Sequence, residues 1–349
     1  MSLKIMSKIV FAQWVQNLCE HYRVVGPRSH HGQYIFDEVQ RVEDLELDYP
    51  TSILSPKKYL LPPREELFQF QPDGKSEVAL ETTPTVIIGV HTCDMHAIRL
   101  LDRIHETGYA DQHYLARREN LYLISLECLK PCTPDSFCKS MGTLNVPDEY
   151  DLHLTDLGDS YAIDIGSEKG EKLLEDLAKT DQPTDEDYKR INRVMSEKWP
   201  RFSYRLDFDV TELPDLLTLS QNSDYWQTLG DRCLACGMCT KVCPTCYCFD
   251  VEDEVDLTLQ SGKRMRVWDS CQIDTFAAVA GGHNFREERA LRQRHRFLRK
   301  GKYQQEAYGL IGCVGCGRCA TSCLVHITPV ETFNDLYERH MHGQKTEIE

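Results

Sequence analysis

Two runs of cysteine constrain this chain more than any other feature. Cys233, Cys236, Cys239 and Cys243, followed by Pro244, spell C-x2-C-x2-C-x3-C, and Cys313, Cys316, Cys319 and Cys323 repeat the phrase. In this spacing three thiolates of one run wrap three corners of a [4Fe-4S] cube, while the fourth reaches the cube held by the other run. Crossed ligation assigns one cluster to Cys233, Cys236, Cys239 and Cys323, and the other to Cys313, Cys316, Cys319 and Cys243. Zinc is the competing reading, since paired C-x2-C units also make four-thiolate structural sites. A zinc ribbon, however, takes two cysteines per knuckle and has no use for three plus a distant fourth, written twice. Leu324 stands where the first run has Pro244, which alters the chain's exit from the loop and leaves ligation intact.

Composition narrows the setting. A chain of 349 residues holds two domains with room for separate cores. Sixteen cysteines and no export signal point to a reducing cytoplasm and to metal, because oxidised frameworks belong to short secreted chains. Residues 1–22 carry apolar side chains at helical spacing (Ile9, Val10, Trp14, Val15, Leu18) and read as an amphipathic helix, too polar for a membrane span. A net charge of −15 argues against nucleic acid as the main partner. It favours docking to other proteins through local patches.

Taken in order, the chain predicts a Gly26-Pro27 turn, a strand around Tyr34 to Phe36, and a proline-broken stretch from Ser55 to Phe70. The apolar run from Val86 to Val90 is strand-like and ends at Cys93 and Asp94, with Asp94 placed to cap the helix that follows. A second apolar run, Leu121 to Leu126, stops at Glu127 and Cys128. Strand, helix, strand predicts a parallel pair, so Cys93 and Cys128 both leave the carboxyl edge where open α/β sheets place ligands. With Cys132 and Cys138 on the next loop, four cysteines converge on that edge. They suit a third [4Fe-4S] cluster or, equally, ordinary buried thiols. Gly158-Asp159 predicts a hairpin, and helices are expected at residues 168–179, 185–199 and 224–229. The insertion between the cysteine runs reads as mostly helical. It holds Cys246, Cys248 and Cys271, which no cube requires, and a basic helix over residues 287–302 that is either a solvated face or a docking surface. No G-x-G-x-x-G and no phosphate loop is present, so neither a Rossmann dinucleotide site nor nucleotide hydrolysis is expected. No catalytic constellation emerges, and His96 beside Asp94 reads as a polar residue of a helix's first turn.

The fold class expected is therefore α+β. An N-terminal α/β domain with a short parallel sheet precedes a mainly helical, bacterial-ferredoxin-like dicluster domain. The boundary falls between Lys179 and Leu213, taken as 1–200 and 201–349.

Several stretches together carry a family likeness: Gly89 to Ile98, Phe137 to Thr143, Cys233 through Cys248 to Asp250, Trp268-Asp269-Ser270-Cys271 and Ala280-Gly281-Gly282-His283. They resemble the iron-sulfur β subunit of cytoplasmic sulfhydrogenases, the NAD(P)-linked nickel-iron hydrogenases, and the related iron-sulfur subunit of anaerobic sulfite reductase. The resemblance implies a non-catalytic electron relay between a flavin and NAD(P) subunit and a catalytic subunit. A nickel-iron hydrogenase is the expected catalytic partner, with sulfite reductase or a heterodisulfide reductase-type complex as alternatives. It also implies a third cluster on matches to Cys93, Cys128 and Cys138. Family members often have a Cys-Phe-Cys triplet whose first position is Ser136 here, and Cys132 is the available substitute.

Overall fold

The computed structural model describes residues 2–175 and 177–346. Seven strands form the first sheet: β1 (Leu3–Ser7), β2 (Arg23–His30), β3 (Gln33–Glu38), β6 (Thr85–His91), β7 (Leu121–Leu126), β8 (Leu152–Asp156) and β9 (Ser160–Ile165). Their order is β1-β9-β8-β7-β6-β2-β3. The central four, β8, β7, β6 and β2, run parallel, and β9, β1 and β3 add antiparallel edges. β6 is buried along its whole length, as the continuous apolar run requires of a strand covered on both faces. The predicted hairpin at Gly158-Asp159 joins β8 to β9.

Three local expectations are corrected. The chain opens with strand β1, and its first helix spans only Lys8–His21; Ile5 and Met6 pack onto β9 before the helical pattern begins. Gly26 and Pro27 lie inside β2, paired with Asp37 and Phe36, not in a turn. Asp94 is not the cap of the helix Thr92–Glu106, whose capping position is His91. Asp94 instead accepts both guanidinium nitrogens of Arg318 at 2.7 Å.

The insertion is the largest departure. A hairpin of β10 (Phe249–Val255) and β11 (Gly262–Trp268) joins β4 (Arg64–Phe70) and β5 (Ser76–Glu77) in a four-stranded antiparallel sheet, order β10-β11-β4-β5. The β10 segment alternates apolar Phe249, Val251 and Val255 with acidic Asp250, Glu252 and Glu254, a strand period broken only at Asp253, and the expectation of a mostly helical insertion is corrected here. A buried ionic knot fixes the hairpin to the N-terminal half. Glu65 of β4 meets Arg117, and Arg266 of β11 reaches Glu65 (Nε to Oε2, 2.8 Å) and Asp111.

Two main cores result. One lies on the large sheet, with Trp14, Ile87, Leu123 and Leu152 fully enclosed. The other gathers Leu213, Leu217, Phe297 and Phe333 from the C-terminal helices, and Phe137 enters it from the N-terminal half. Among the described residues, no helix is long and apolar enough to cross a membrane.

Asp94 and Arg318 are 0% and 2% exposed, and their pairing bolts the sheet's carboxyl edge to the second cysteine run. Removing one member of such a pair strands a buried charge. Arg318→Ala is expected to cost about 3–5 kcal/mol, read as a fall in the urea-unfolding midpoint of the iron-loaded protein. A midpoint unchanged from the parent would contradict this.

Candidate metal centres

The two cysteine runs fold alike. In each, a glycine in the left-handed region, Gly237 (φ 75°) or Gly317 (φ 77°), starts a one-turn helix, Met238–Lys241 or Arg318–Thr321. Two residues earlier Ala235 (φ 54°) and Gly315 (φ 68°) also take positive φ, turning backbone amides inward. The Ala235 amide lies 3.3 Å from Cys233 Sγ, and the Ile327 amide 3.3 Å from Cys323 Sγ.

Two cavities lie between the runs. Cys233, Cys236, Cys239 and Cys323 line the first together with Gln272 and Gln293. Cys313, Cys316, Cys319 and Cys243 line the second, where Cys239 and Arg296 also reach. Each cavity thus gathers three cysteines of one run and the last cysteine of the other, as crossed ligation requires. Burial pushes the Cys239 and Cys316 thiols up to about 12, so a packed thiol set of this kind ionises only with compensating positive charge. Four inward thiols, donor amides and nearby cations fit a cubane.

Residues 232–327 match the 4Fe-4S dicluster domain family. Over 331 residues the sequence is 37% identical to the sulfhydrogenase 2 subunit beta of Pyrococcus furiosus, covering 94% of this chain and 96% of the relative. The chain belongs to the sulfhydrogenase β-subunit family.

In this family member the basic helix is neither a solvated face nor a docking surface. The helix Arg289–Leu298, continued by a π turn over Arg299–Tyr303, presents one stripe to the cysteines. Arg289 donates to the Cys233 carbonyl, and Gln293 Nε2 donates to Cys233 Sγ at 2.8 Å. Arg296, 6% exposed, lines both cavities and hydrogen-bonds Cys319. Lys300 lines the second cavity with its ammonium on Thr245 Oγ1. Lys57, buried on the other side, donates to the carbonyls of Cys243 (3.0 Å) and Cys246 (2.8 Å) and sits over the Trp268 ring. Among the described residues, no carboxylate pairs with Arg296, Lys300 or Lys57. Their nearest negative charge is cysteine sulfur: thiolates beside Arg296 and Lys300 hold both above their ordinary values despite burial.

The third set of cysteines meets at the carboxyl edge of the large sheet. Cys93, Cys128 and Cys138 pack in one small cluster with Val314, and Cys316 lies against it. Cys132 donates its thiol proton to Cys128, and Thr92 Oγ1 lies 3.6 Å from Cys128 Sγ. Sequence reading missed His91. Its Nδ1 is 3.4 Å from Cys132 Sγ, its ring stacks on Tyr49 at 4.2 Å, and its ligand atoms lie within 4.8 Å of those of Cys128 and Cys132. Ser136 is buried in the role of a brace, hydrogen-bonded to Thr133 and to the Cys316 carbonyl. This site opens to a cavity of about 350 Å³ rimmed by the pairs Lys8–Asp156 and Lys130–Asp48.

The second and third sites touch through glycine. A Cβ on Gly315 would fall 2.6 Å from the backbone of Cys138, and one on Gly317 would fall 2.6 Å from Thr133 Oγ1. Phe137 N donates to the Gly315 carbonyl at 2.8 Å, and Thr143 Oγ1 to the Val314 carbonyl at 2.7 Å.

Arg296→Gln keeps hydrogen-bonding capacity and deletes the charge beside both cavities. It is expected to lower the midpoint potentials of both C-terminal centres by at least about 60 mV, a tenfold bias for a one-electron couple, while Arg296→Lys keeps most of the parent value. Potentials unmoved in the Gln variant would show that the guanidinium is not electrostatically coupled to the centres.

Proposed function

We propose that this chain is the electron-transfer subunit of a hydrogenase complex, carrying electrons through [4Fe-4S] clusters between a flavin and NAD(P) subunit and a nickel-iron catalytic subunit. The observation that carries the reading is the pair of cysteine cavities sharing Arg296 inside a member of the sulfhydrogenase β-subunit family. In this reading residues 201–349 hold two clusters, on Cys233, Cys236, Cys239, Cys323 and on Cys313, Cys316, Cys319, Cys243. Residues 1–200 hold the third on Cys93, Cys128, Cys132 and Cys138. When bound, each cubane exchanges one electron at a time, and the protein sets its potential through amide hydrogen bonds, burial and charge.

The chain's own residues do the rest. Thiolates grip the iron, and the amides of Ala235 and Ile327 with the Gln293 amide group draw charge from Cys233 and Cys323. Arg296, Lys300 and Lys57 offset the negative charge of each thiolate cage in a poorly solvated interior. Contacts run in series: the third site packs on the second through Gly315 and Cys138, and the second shares Cys239 and Arg296 with the first. An electron therefore has a path along the molecule with no substrate bond made or broken. The sulfite reductase and heterodisulfide reductase-type alternatives gain no support from the Pyrococcus furiosus relative, which is a sulfhydrogenase subunit.

Iron and acid-labile sulfide analysis tests the assignment. About twelve irons per chain are expected for three cubes and about eight for two. Cys316→Ala or Cys236→Ala is expected to remove about four and to interrupt electron passage from reduced flavin partner to catalytic subunit. A variant with full iron content and undiminished transfer would contradict the ligand assignment.

A further inference from the structure

Three cysteines of the insertion belong to none of the cavities described above, and two of them form a pair. The mouth of the β10–β11 hairpin brings Cys248 beside the 269–271 loop. Phe249 pairs with Trp268, and the Asp269 amide then donates to the Cys248 carbonyl at 2.9 Å. There the Cys248 thiol donates a hydrogen bond to Cys271 Sγ. Cys271 is buried and Cys248 partly so.

The pair is joined to the first cluster site by an unbroken set of hydrogen bonds. Gln272 Nε2 lies 3.5 Å from Cys271 Sγ; Gln272 Oε1 accepts from Gln293 Nε2 at 2.9 Å; Gln293 Nε2 is 2.8 Å from Cys233 Sγ. Both glutamines are buried, 1% and 2% exposed, and both line that cavity. Arg299 and Lys300 lie within electrostatic reach of Cys248. Such positive surroundings oppose a bound dication and favour a thiolate, the nucleophile that closes a disulfide.

We propose that Cys248 and Cys271 form a redox-active dithiol, a two-electron store beside the one-electron relay. This rests on the relay reading. Oxidation breaks two S–H bonds, forms one S–S bond, releases two protons to water and gives up two electrons, one to each C-terminal cubane. Reduction runs the same balance in reverse: two reduced cubanes each return one electron and two protons re-form the thiols. The dithiol would let the subunit hold an even number of electrons for partners that exchange hydride or hydrogen two at a time, while its cubanes pass them singly.

The test poises the intact iron-loaded protein, then quenches it in acid, unfolds it and alkylates its thiols, so that buried Cys271 is reached, with peptide mass spectrometry. Samples are poised with dithionite or with glutathione disulfide, and before the quench cubane integrity is followed by EPR of the dithionite-reduced sample and by visible absorption of both. After dithionite both thiols should take label. After glutathione disulfide neither should, and a peptide joining Cys248 to Cys271 should appear that is missing from Cys271→Ser. Label on both residues under both conditions overturns the dithiol, as does extra iron or zinc in the intact protein that Cys271→Ser removes. Absence of cubane EPR signals after dithionite would instead overturn the relay reading, so the two failures are distinct.

Discussion

Positive charge buried without a carboxylate is the constraint on which the C-terminal half depends. Arg296 lies between two sulfur-lined cavities, Lys300 and Lys57 flank the second, and none has an acid beside it among the described residues. In a chain with 55 acidic side chains, placing three cations where no acid reaches is intelligible only if another negative charge resides there. Burying a lone cation costs several kcal/mol, and a thiolate-bound cubane supplies the missing counter-charge. Protein and cluster are in this sense two halves of one electrostatic unit, and each is unstable in the interior without the other.

The same economy links the two halves of the chain. Arg318, next to the cluster loop, is neutralised by Asp94 at the carboxyl edge of the large sheet, while Glu65 and Asp111 neutralise Arg266 of the inserted hairpin. Gly315 and Gly317 let the third cysteine loop lie directly on the second, where any side chain would hold them apart. Closeness of the sites, needed for electron passage, is therefore secured by charge pairing on one side and by absent side chains on the other.

Much of this was legible in the sequence. A repeated four-cysteine phrase specifies cysteine sets whatever the surrounding fold, and continuous apolar runs at Val86–Val90 and Leu121–Leu126 identify buried parallel strands. Features that depend on partners distant in the chain stayed hidden. The β10 alternation of apolar and acidic residues is short, and the place of the hairpin in a sheet depends on β11 pairing with β4, about 200 residues away in sequence. Asp94 looked like a helix cap because the first turn favours acids, whereas its partner is 224 positions on. One signal was available and unread: Arg289, Gln293, Arg296 and Lys300 recur at steps of four, three and four, the spacing of a single helix face. A stripe of that kind on a basic helix next to cysteine runs points the charge inward.

The dependence of buried cations on bound clusters is tested most directly by amide hydrogen exchange on iron-depleted and iron-loaded protein. Depletion is predicted to strip protection from the helix 289–303 and from residues 233–243 and 313–323, while strands β6 and β7 of the large sheet keep theirs. Equal protection of the 289–303 helix with and without iron would contradict the account.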